Sequence, residues 1–482
     1  MNARAGFRFR AARALADAGL QKALRNVPRG FIAKRRKALE ALPEFETLRA
    51  AAADLRARVL DELDVHLARF AEKAEAAGAK VHFAADAGEA RAIIRDILKA
   101  RGVRRVVKGK SMISEEIGLN SALAQAGMEV TETDLGEYII QLRGETPSHI
   151  VAPAIHLSRP QIEADFRRAH RDLPPDRHFG SNADLVKEAR QVLRRIFCEA
   201  EAGITGANLL VAESGSCVLV TNEGNGDLCA TLPPVHIVVS SIEKVVPSLR
   251  DADLILRLLA RSATGQKITT YTSFHTGPAR GQDADGPREM HIVLLDGGRS
   301  EVLAGPFADI LRCIRCGACL NHCPVFGAVG GHAYLPPESP PGVYPGPMGE
   351  VLQPALHGPK RAADLADACT MCGRCAEVCP VGIPLPDLIR RWREEALAAG
   401  CTPLPRRWGL ALWRAIARRP RLYHRLIRLK LPVLRFLARH PRLAARLPGV
   451  SRWAAWRRLP ALPRRPLIGG RQTRGRAKGR KT

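Results

Sequence analysis

The chain has 482 residues, 46% of them apolar and 26% charged, enough to bury cores in about three structural units and too apolar for a wholly disordered protein. Its formal charge of +27 is unevenly held: residues 401–482 carry 24 Lys/Arg and no acid, so the body is nearly neutral and only the tail suits anionic partners. No stretch reaches the roughly 18 continuous apolar residues of a membrane span, and charge interrupts every apolar run of MNARAGFRFRAARALADAGL, so an amphipathic helix in a cytoplasmic protein is expected and a secreted one is not.

In chain order, residues 1–75 read as a helical region, rich in Ala, Leu, Glu and Arg with apolar residues three and four apart. Strands then alternate with helices: a strand at 80–84, a helix at 89–99, a strand at 105–107, a helix at 113–126 and a strand at 128–131. That βαβαβ order calls for a parallel sheet covered by helices. After a helix at 183–202, strand composition recurs at 208–212, 217–221, 236–240, 268–272 and 291–295, completing one α/β domain over 76–300. Between 327 and 359 proline and glycine crowd the chain, which argues against regular helix and for a rigid, extended connection. Beyond Cys401, prolines at 420, 432, 441, 448 and 460 divide the tail into short amphipathic helices before a disordered GGRQTRGRAKGRKT end.

Eight of the twelve cysteines fall in two runs, Cys313-Ile-Arg-Cys316-Gly-Ala-Cys319-Leu-Asn-His-Cys323-Pro324 and Cys369-Thr-Met-Cys372-Gly-Arg-Cys375-Ala-Glu-Val-Cys379-Pro380. Both are C-x2-C-x2-C-x3-C-P. A loop wrapping a cubane delivers thiolates from positions i, i+3 and i+6, and the fourth cysteine of such a run reaches the neighbouring cluster. Cys313, Cys316, Cys319 and Cys379 are therefore expected on one [4Fe-4S] cluster, and Cys323, Cys369, Cys372 and Cys375 on a second. Tetrahedral zinc has no use for a third cysteine three residues on. Gly317 and Gly373 stand where the backbone must approach each cluster closely. Clusters ligated wholly by cysteine leave no vacancy for substrate, which points to one-electron relay in a domain over 301–400.

Other motifs have plainer readings. Lys108-Gly-Lys110-Ser111 lacks the earlier glycine of a Walker A loop, since Arg104 stands there, and reads as a strand-to-helix turn or an anion site. Glu213, after one strand, and Asn222-Glu-Gly-Asn-Gly226, after the next, fit one crevice at the carboxyl edge of the sheet. Glu213 is the one catalytic candidate, against a structural reading as a cap or turn residue. His236 reads as a hydrogen-bonded core histidine, and Cys198, Cys217 and Cys229 as small buried apolar residues. The tail interleaves Trp408, Trp413, Trp453 and Trp456 with arginine, which suits an anionic membrane surface or a partner protein better than nucleic acid.

The paired cysteine runs, together with Val107-Lys-Gly-Lys-Ser-Met112, Glu115-Glu116, Glu132-Thr-Asp-Leu-Gly-Glu137, Gly203-Ile-Thr-Gly206, Ala212-Glu-Ser-Gly215, Thr221-Asn-Glu-Gly-Asn-Gly226, Gly286-Pro-Arg-Glu and Tyr344-Pro-Gly-Pro-Met-Gly349, resemble the lactate-utilisation protein B family over roughly residues 10–400. The resemblance implies a LUD-type α/β domain, similar to the sugar-phosphate isomerase and CoA-transferase fold, followed by a mainly helical two-cluster ferredoxin-type domain and a basic helical region over 401–482. It also implies a redox subunit that works with two companion proteins as L-lactate becomes pyruvate, with an acceptor in the respiratory chain and the tail as a peripheral contact with the inner face of the membrane. The competing expectation is an acyl- or CoA-transferring enzyme using Glu213, with the clusters as regulators.

Overall fold

A computed structural model describes residues 6–335, 343–362, 364–440 and 443. Ten strands form two sheets: β1 (Lys80–Ala84), β2 (Arg105–Lys108), β3 (Glu129–Glu132), β4 (Ala202–Gly206), β5 (Leu209–Val211), β6 (Ser216–Thr221), β7 (Val235–Ser241), β8 (Val245–Val246), β9 (Tyr271–His275) and β10 (Glu289–Leu295). The larger sheet is wholly parallel in the order β1-β10-β7-β4-β2-β3. A smaller sheet, β8-β5-β6-β9, is antiparallel except where β5 meets β8.

The near-continuous apolar runs of β7 and β10 follow from burial on both faces. Along β10, Ile292 and Leu294 join one core while Val293 and Leu295 join another, and Val238 and Val239 of β7 divide the same way. The first of these cores runs on without a break into the N-terminal helices and the cysteine region, from Phe7 to Trp392. Helix Phe45–Asp61 shows why: Ala52, Leu55 and Val59, spaced three and four apart, make one buried face.

Residues 1–401 form one compact unit. The N-terminal helices are bound into the cysteine region by polar contacts as well: Arg10 donates to Ala333 O (2.9 Å), Gln21 to Ala328 O (2.8 Å), Arg35 to Val378 O (3.0 Å) and Arg49 to Cys379 O (2.7 Å). Asp17, one of the charges that breaks the N-terminal apolar runs, caps helix Ala18–Leu24 by accepting from Leu20 N.

Several elements depart from expectation for local reasons. The helix expected over 113–126 is two, Met112–Glu116 and Leu119–Gln125, parted at Gly118 with φ +64°. Strand β9 begins three residues later than expected and leaves Ile268 64% exposed. The 327–359 segment is not an extended connection, for its described part contains helix Gly346–His357. Pro347 lies in the first turn, where no amide is needed, and Pro354 is carried inside a helix whose neighbours Val351 and Leu352 are fully buried. Gly203 and Gly206, between the expected helix at 183–202 and strand at 208–212, lie in central strand β4, which was not among the expected elements. A Cβ on Gly203 would stand 1.8 Å from Cys229 O, so only glycine lets helix Asn225–Thr231 lie on the strand. Gly203→Ala should cost roughly 3 kcal/mol, read as a fall in the urea unfolding midpoint.

The second unit starts at Thr402. Its described helices, Leu404–Ala417 and Pro420–Arg439, bury no residue within the unit. The second runs through Pro432 where the sequence suggested a break. Trp408 and Trp413 are 74% and 62% exposed. Trp453, Trp456 and the expected disordered end lie outside the described residues.

Candidate iron–sulfur centre and adjoining cleft

The two cysteine runs adopt the same backbone. Gly317 and Gly373, at φ +74° and +82°, cap the short helices that carry the third cysteine of each run, and Arg315 and Met371, one residue before the second cysteine, are the described non-glycine residues at positive φ, +58° and +57°. This turn aims amides at sulfur: Arg315 N donates to Cys313 Sγ (3.4 Å) and Met371 N to Cys369 Sγ (3.3 Å). The fourth cysteines also accept amides but differ in detail, Cys323 Sγ from Phe326 N (3.5 Å) in the helix it caps and Cys379 Sγ from Ile383 N (3.4 Å), four residues on. N–H···S bonds of this kind stabilise thiolates and tune clusters.

The thiols group across the runs. Cys313, Cys316, Cys319 and Cys379 line one apolar cavity, walled by Ile150, Met348 and Leu385. Cys375 lies within electrostatic reach of Cys369 and Cys323, and Cys369 of Cys372. Cys319 is close enough to Cys375 to feel it, so the groups are neighbours. Burial pushes the Cys316 and Cys375 thiols up to about 12 and Cys323 up to about 11. Thiols this reluctant to ionise become ligands only when a cation joins them, which is the chemistry an iron cluster supplies. The donor set fits two four-thiolate clusters.

Beside the second group stands Glu350, 1% exposed, with neither carboxylate oxygen hydrogen-bonded. Burial lifts its pKa from 4.5 to about 8. The folded chain thus holds a proton that the unfolded chain releases, so stability falls as pH rises from about 4.5 to about 8. Glu350→Gln removes that loss. Its thermal midpoint should exceed that of the parent at pH 8.5 and approach it near pH 5.

Around the first group a buried ion network ties the α/β domain to the cysteine loop. Arg299, fully buried, makes a bidentate pair with Glu116 (2.9 and 2.8 Å) and meets Glu243 at 2.9 Å. Arg315 reaches Glu243 at 3.1 Å and lies over the Tyr344 ring, whose hydroxyl donates to Glu116 at 2.6 Å. Burial works to raise Glu243, but Arg299 and Arg315 overcome it and hold the carboxyl down at about 2. Arg56, also buried, donates to Val245 O and to the carbonyls of Glu243 and Leu311. None of Arg56, Glu243, Arg299 or Arg315 was singled out in the sequence; Glu116 and Tyr344 were visible only as members of family-like stretches.

The other candidates divide. Lys108 is 1% exposed and locked between Glu132 (2.7 Å) and Glu115 (3.0 Å), so it is not free to hold an anion. Lys110 instead lines a cleft of about 400 Å3 at the carboxyl edge of the parallel sheet, with Asn222, Glu223, Asn225 and, from the cysteine loop, Arg315 and Cys316. Glu213 is not among the lining residues; its carboxylate accepts from Leu249 N (3.2 Å) at the start of helix Leu249–Ala263. His236 bonds Thr205 Oγ1 at 2.8 Å, and burial lowers its pKa to about 3, as suits a neutral core histidine. Cys217 and Cys229 are buried, but Cys198 is exposed on the outer face of its helix.

An α/β domain whose carboxyl edge meets the first of two matching cysteine loops defines an iron–sulfur protein with two clusters. Comparison with known proteins agrees: the LUD domain profile matches residues 67–295 and the 4Fe-4S dicluster domain residues 309–383. The "Uncharacterized electron transport protein YkgF" of Escherichia coli is 44% identical over 401 residues, 82% of this chain and 81% of that protein. "Lactate utilization protein B" is 40% identical over 421 residues in Bacillus velezensis (87% and 86% of the two chains) and 43% over 363 in Bacillus subtilis (75% and 74%). The chain belongs to the lactate utilization protein B family, and it carries two [4Fe-4S] clusters.

Proposed function

We propose that this protein is the iron–sulfur electron-transfer subunit of an L-lactate-oxidising complex, with Cys313, Cys316, Cys319 and Cys379 as ligands of one [4Fe-4S] cluster and Cys323, Cys369, Cys372 and Cys375 as ligands of the other. Bound clusters of this kind supply one-electron redox steps with no open coordination position. The chain itself presents the thiolates, directs amides to them and shields the first group from water. The observation that carries the reading is that Cys379 lines one cavity with Cys313, Cys316 and Cys319, while Cys323 lies within electrostatic reach of Cys375, which supports an exchange of fourth cysteines between the loops. Conversion of L-lactate to pyruvate releases two electrons, which two adjacent one-electron sites suit.

The partners in this reading are two companion lactate-utilisation proteins and an acceptor of the respiratory chain, in the cytoplasm. No described helix is long and apolar enough to cross a membrane. The tail, with exposed Trp408 and Trp413 among arginines and no acid, is proposed as a peripheral contact with an anionic membrane face. Functional boundaries fall near 75, 300 and 400, although the N-terminal helices pack on the cysteine region. Nothing in the placement of Glu213 favours acyl transfer over its role as a helix cap.

The test is growth. A strain whose chain carries Cys316→Ser and Cys372→Ser together should fail on L-lactate and grow normally on pyruvate. Normal growth on L-lactate with both clusters absent would overturn the reading.

A further inference from the structure

Outside the cysteine runs, three side chains able to ligate a metal converge from distant parts of the chain. Helix Leu135–Arg143 gives way to a loop that carries Glu145 and His156, and helix Pro324–Val329 is followed by a turn that opens with His332. The two segments lie in close contact. Gly331 N donates to Ser148 Oγ at 3.2 Å, and a Cβ on Gly331 would stand 1.7 Å from Ser148 O, so glycine at 331 is what lets His332 meet the loop. One oxygen of Glu145 and one nitrogen of each imidazole then lie within 4.8 Å of one another. Zinc holds such atoms at about 2.0–2.2 Å, which sets them no more than about 4.4 Å apart, so a small closure completes the set.

The hydrogen bonds already prepare these atoms. His332 Nε2 donates to Thr146 O at 2.7 Å, and because a carbonyl only accepts, the neutral ring keeps its lone pair on Nδ1. Metal-binding histidines are commonly oriented by a bond of this kind from the other nitrogen. His156 Nε2 and Glu145 Oε2 share a proton at 2.9 Å, a place a cation can take. Nothing at His156 Nδ1, buried and without a partner, fixes the tautomer, so Nε2 is free to give its lone pair instead. Burial and the neighbouring His332 lower the His156 pKa, which favours the neutral, ligating ring. Arg143 holds only the other oxygen of Glu145, at 2.9 Å, and divides its charge with Asp165 at 2.6 Å. The His156 side chain is 9% exposed and that of Glu145 32%, so the group is sheltered yet reachable from the Glu145 side.

We propose that Glu145, His156 and His332 bind one divalent transition-metal ion, zinc by preference, which pins the loop of residues 145–156 to the turn that follows the first cysteine run. Imidazole and carboxylate suit zinc, and donors of this kind hold it more tightly than manganese or ferrous iron. Three protein ligands leave a fourth position to water. No cluster cysteine takes part, so the inference stands apart from the electron-transfer reading.

The test is equilibrium dialysis of the full chain, purified anaerobically with its iron, against zinc ion, followed by metal analysis and X-ray absorption at the zinc edge. One zinc per chain should be retained in addition to the iron, with imidazole nitrogen and oxygen around it and no sulfur. His332→Gln, which can still donate to Thr146 O, and Glu145→Gln should each weaken zinc binding at least about tenfold at unchanged iron content. If either variant also loses iron, the coordination seen in the parent decides. No retained zinc, parental affinity in both variants, or sulfur in the zinc shell, which would place the ion on thiols, would overturn the proposal.

Discussion

Serine in place of Cys379 should destroy the cluster held by the other cysteine run. The claim follows from the cavity that Cys379 shares with Cys313, Cys316 and Cys319, residues more than fifty positions away in the chain, while Cys369, Cys372 and Cys375 lie elsewhere. Double replacements separate exchanged from unexchanged ligation. In a Cys372→Ser background the iron that remains belongs to the first group. Adding Cys379→Ser should then remove it, and adding Cys323→Ser should leave it in place. Iron analysis and EPR of the reduced protein read both results. Were each run to serve its own cluster, the two outcomes would be reversed.

The second large effect is at Arg299. Its guanidinium holds Glu116 and Glu243 together, both of them buried. Arg299→Met preserves much of the side-chain volume but takes the ion pair from Glu116 and leaves Glu243 with Arg315 alone, which should cost about 3–5 kcal/mol in urea unfolding at neutral pH. Glu116→Gln combined with it should recover part of the loss, because one stranded charge is gone and Tyr344 keeps a hydrogen-bond acceptor. The network's position gives the change a second readout. Arg315 shares Glu243 with Arg299 and sits in the first cysteine loop, so the variant should also lose iron faster to a chelator.

Much of this was legible in the chain. The cysteine spacing carried the number and kind of clusters, because a cubane constrains i, i+3 and i+6 locally. The runs of β2, β7 and β10 announced themselves through valine, isoleucine and leucine. What stayed hidden depends on distant partners. Gly203 carries no sign of a strand until helix Asn225–Thr231 is seen pressing on β4. Gly346–His357 looks like a proline-broken connection until burial is seen to outweigh Pro354. The pairs Arg299 with Glu116 and Tyr344 with Glu116 span 183 and 228 residues, and no local pattern marks them. Glu213 and Lys108 had attractive neighbours in sequence, yet one caps a helix and the other is neutralised by two glutamates.

The most direct test is EPR of the anaerobically purified chain, together with its companion proteins, as L-lactate is added. The account predicts that reduced-cluster signals appear on addition of L-lactate, fade when an oxidant is supplied, and are absent in the Cys316→Ser, Cys372→Ser chain. Clusters that are present and reducible by dithionite but stay silent throughout the L-lactate titration would contradict it.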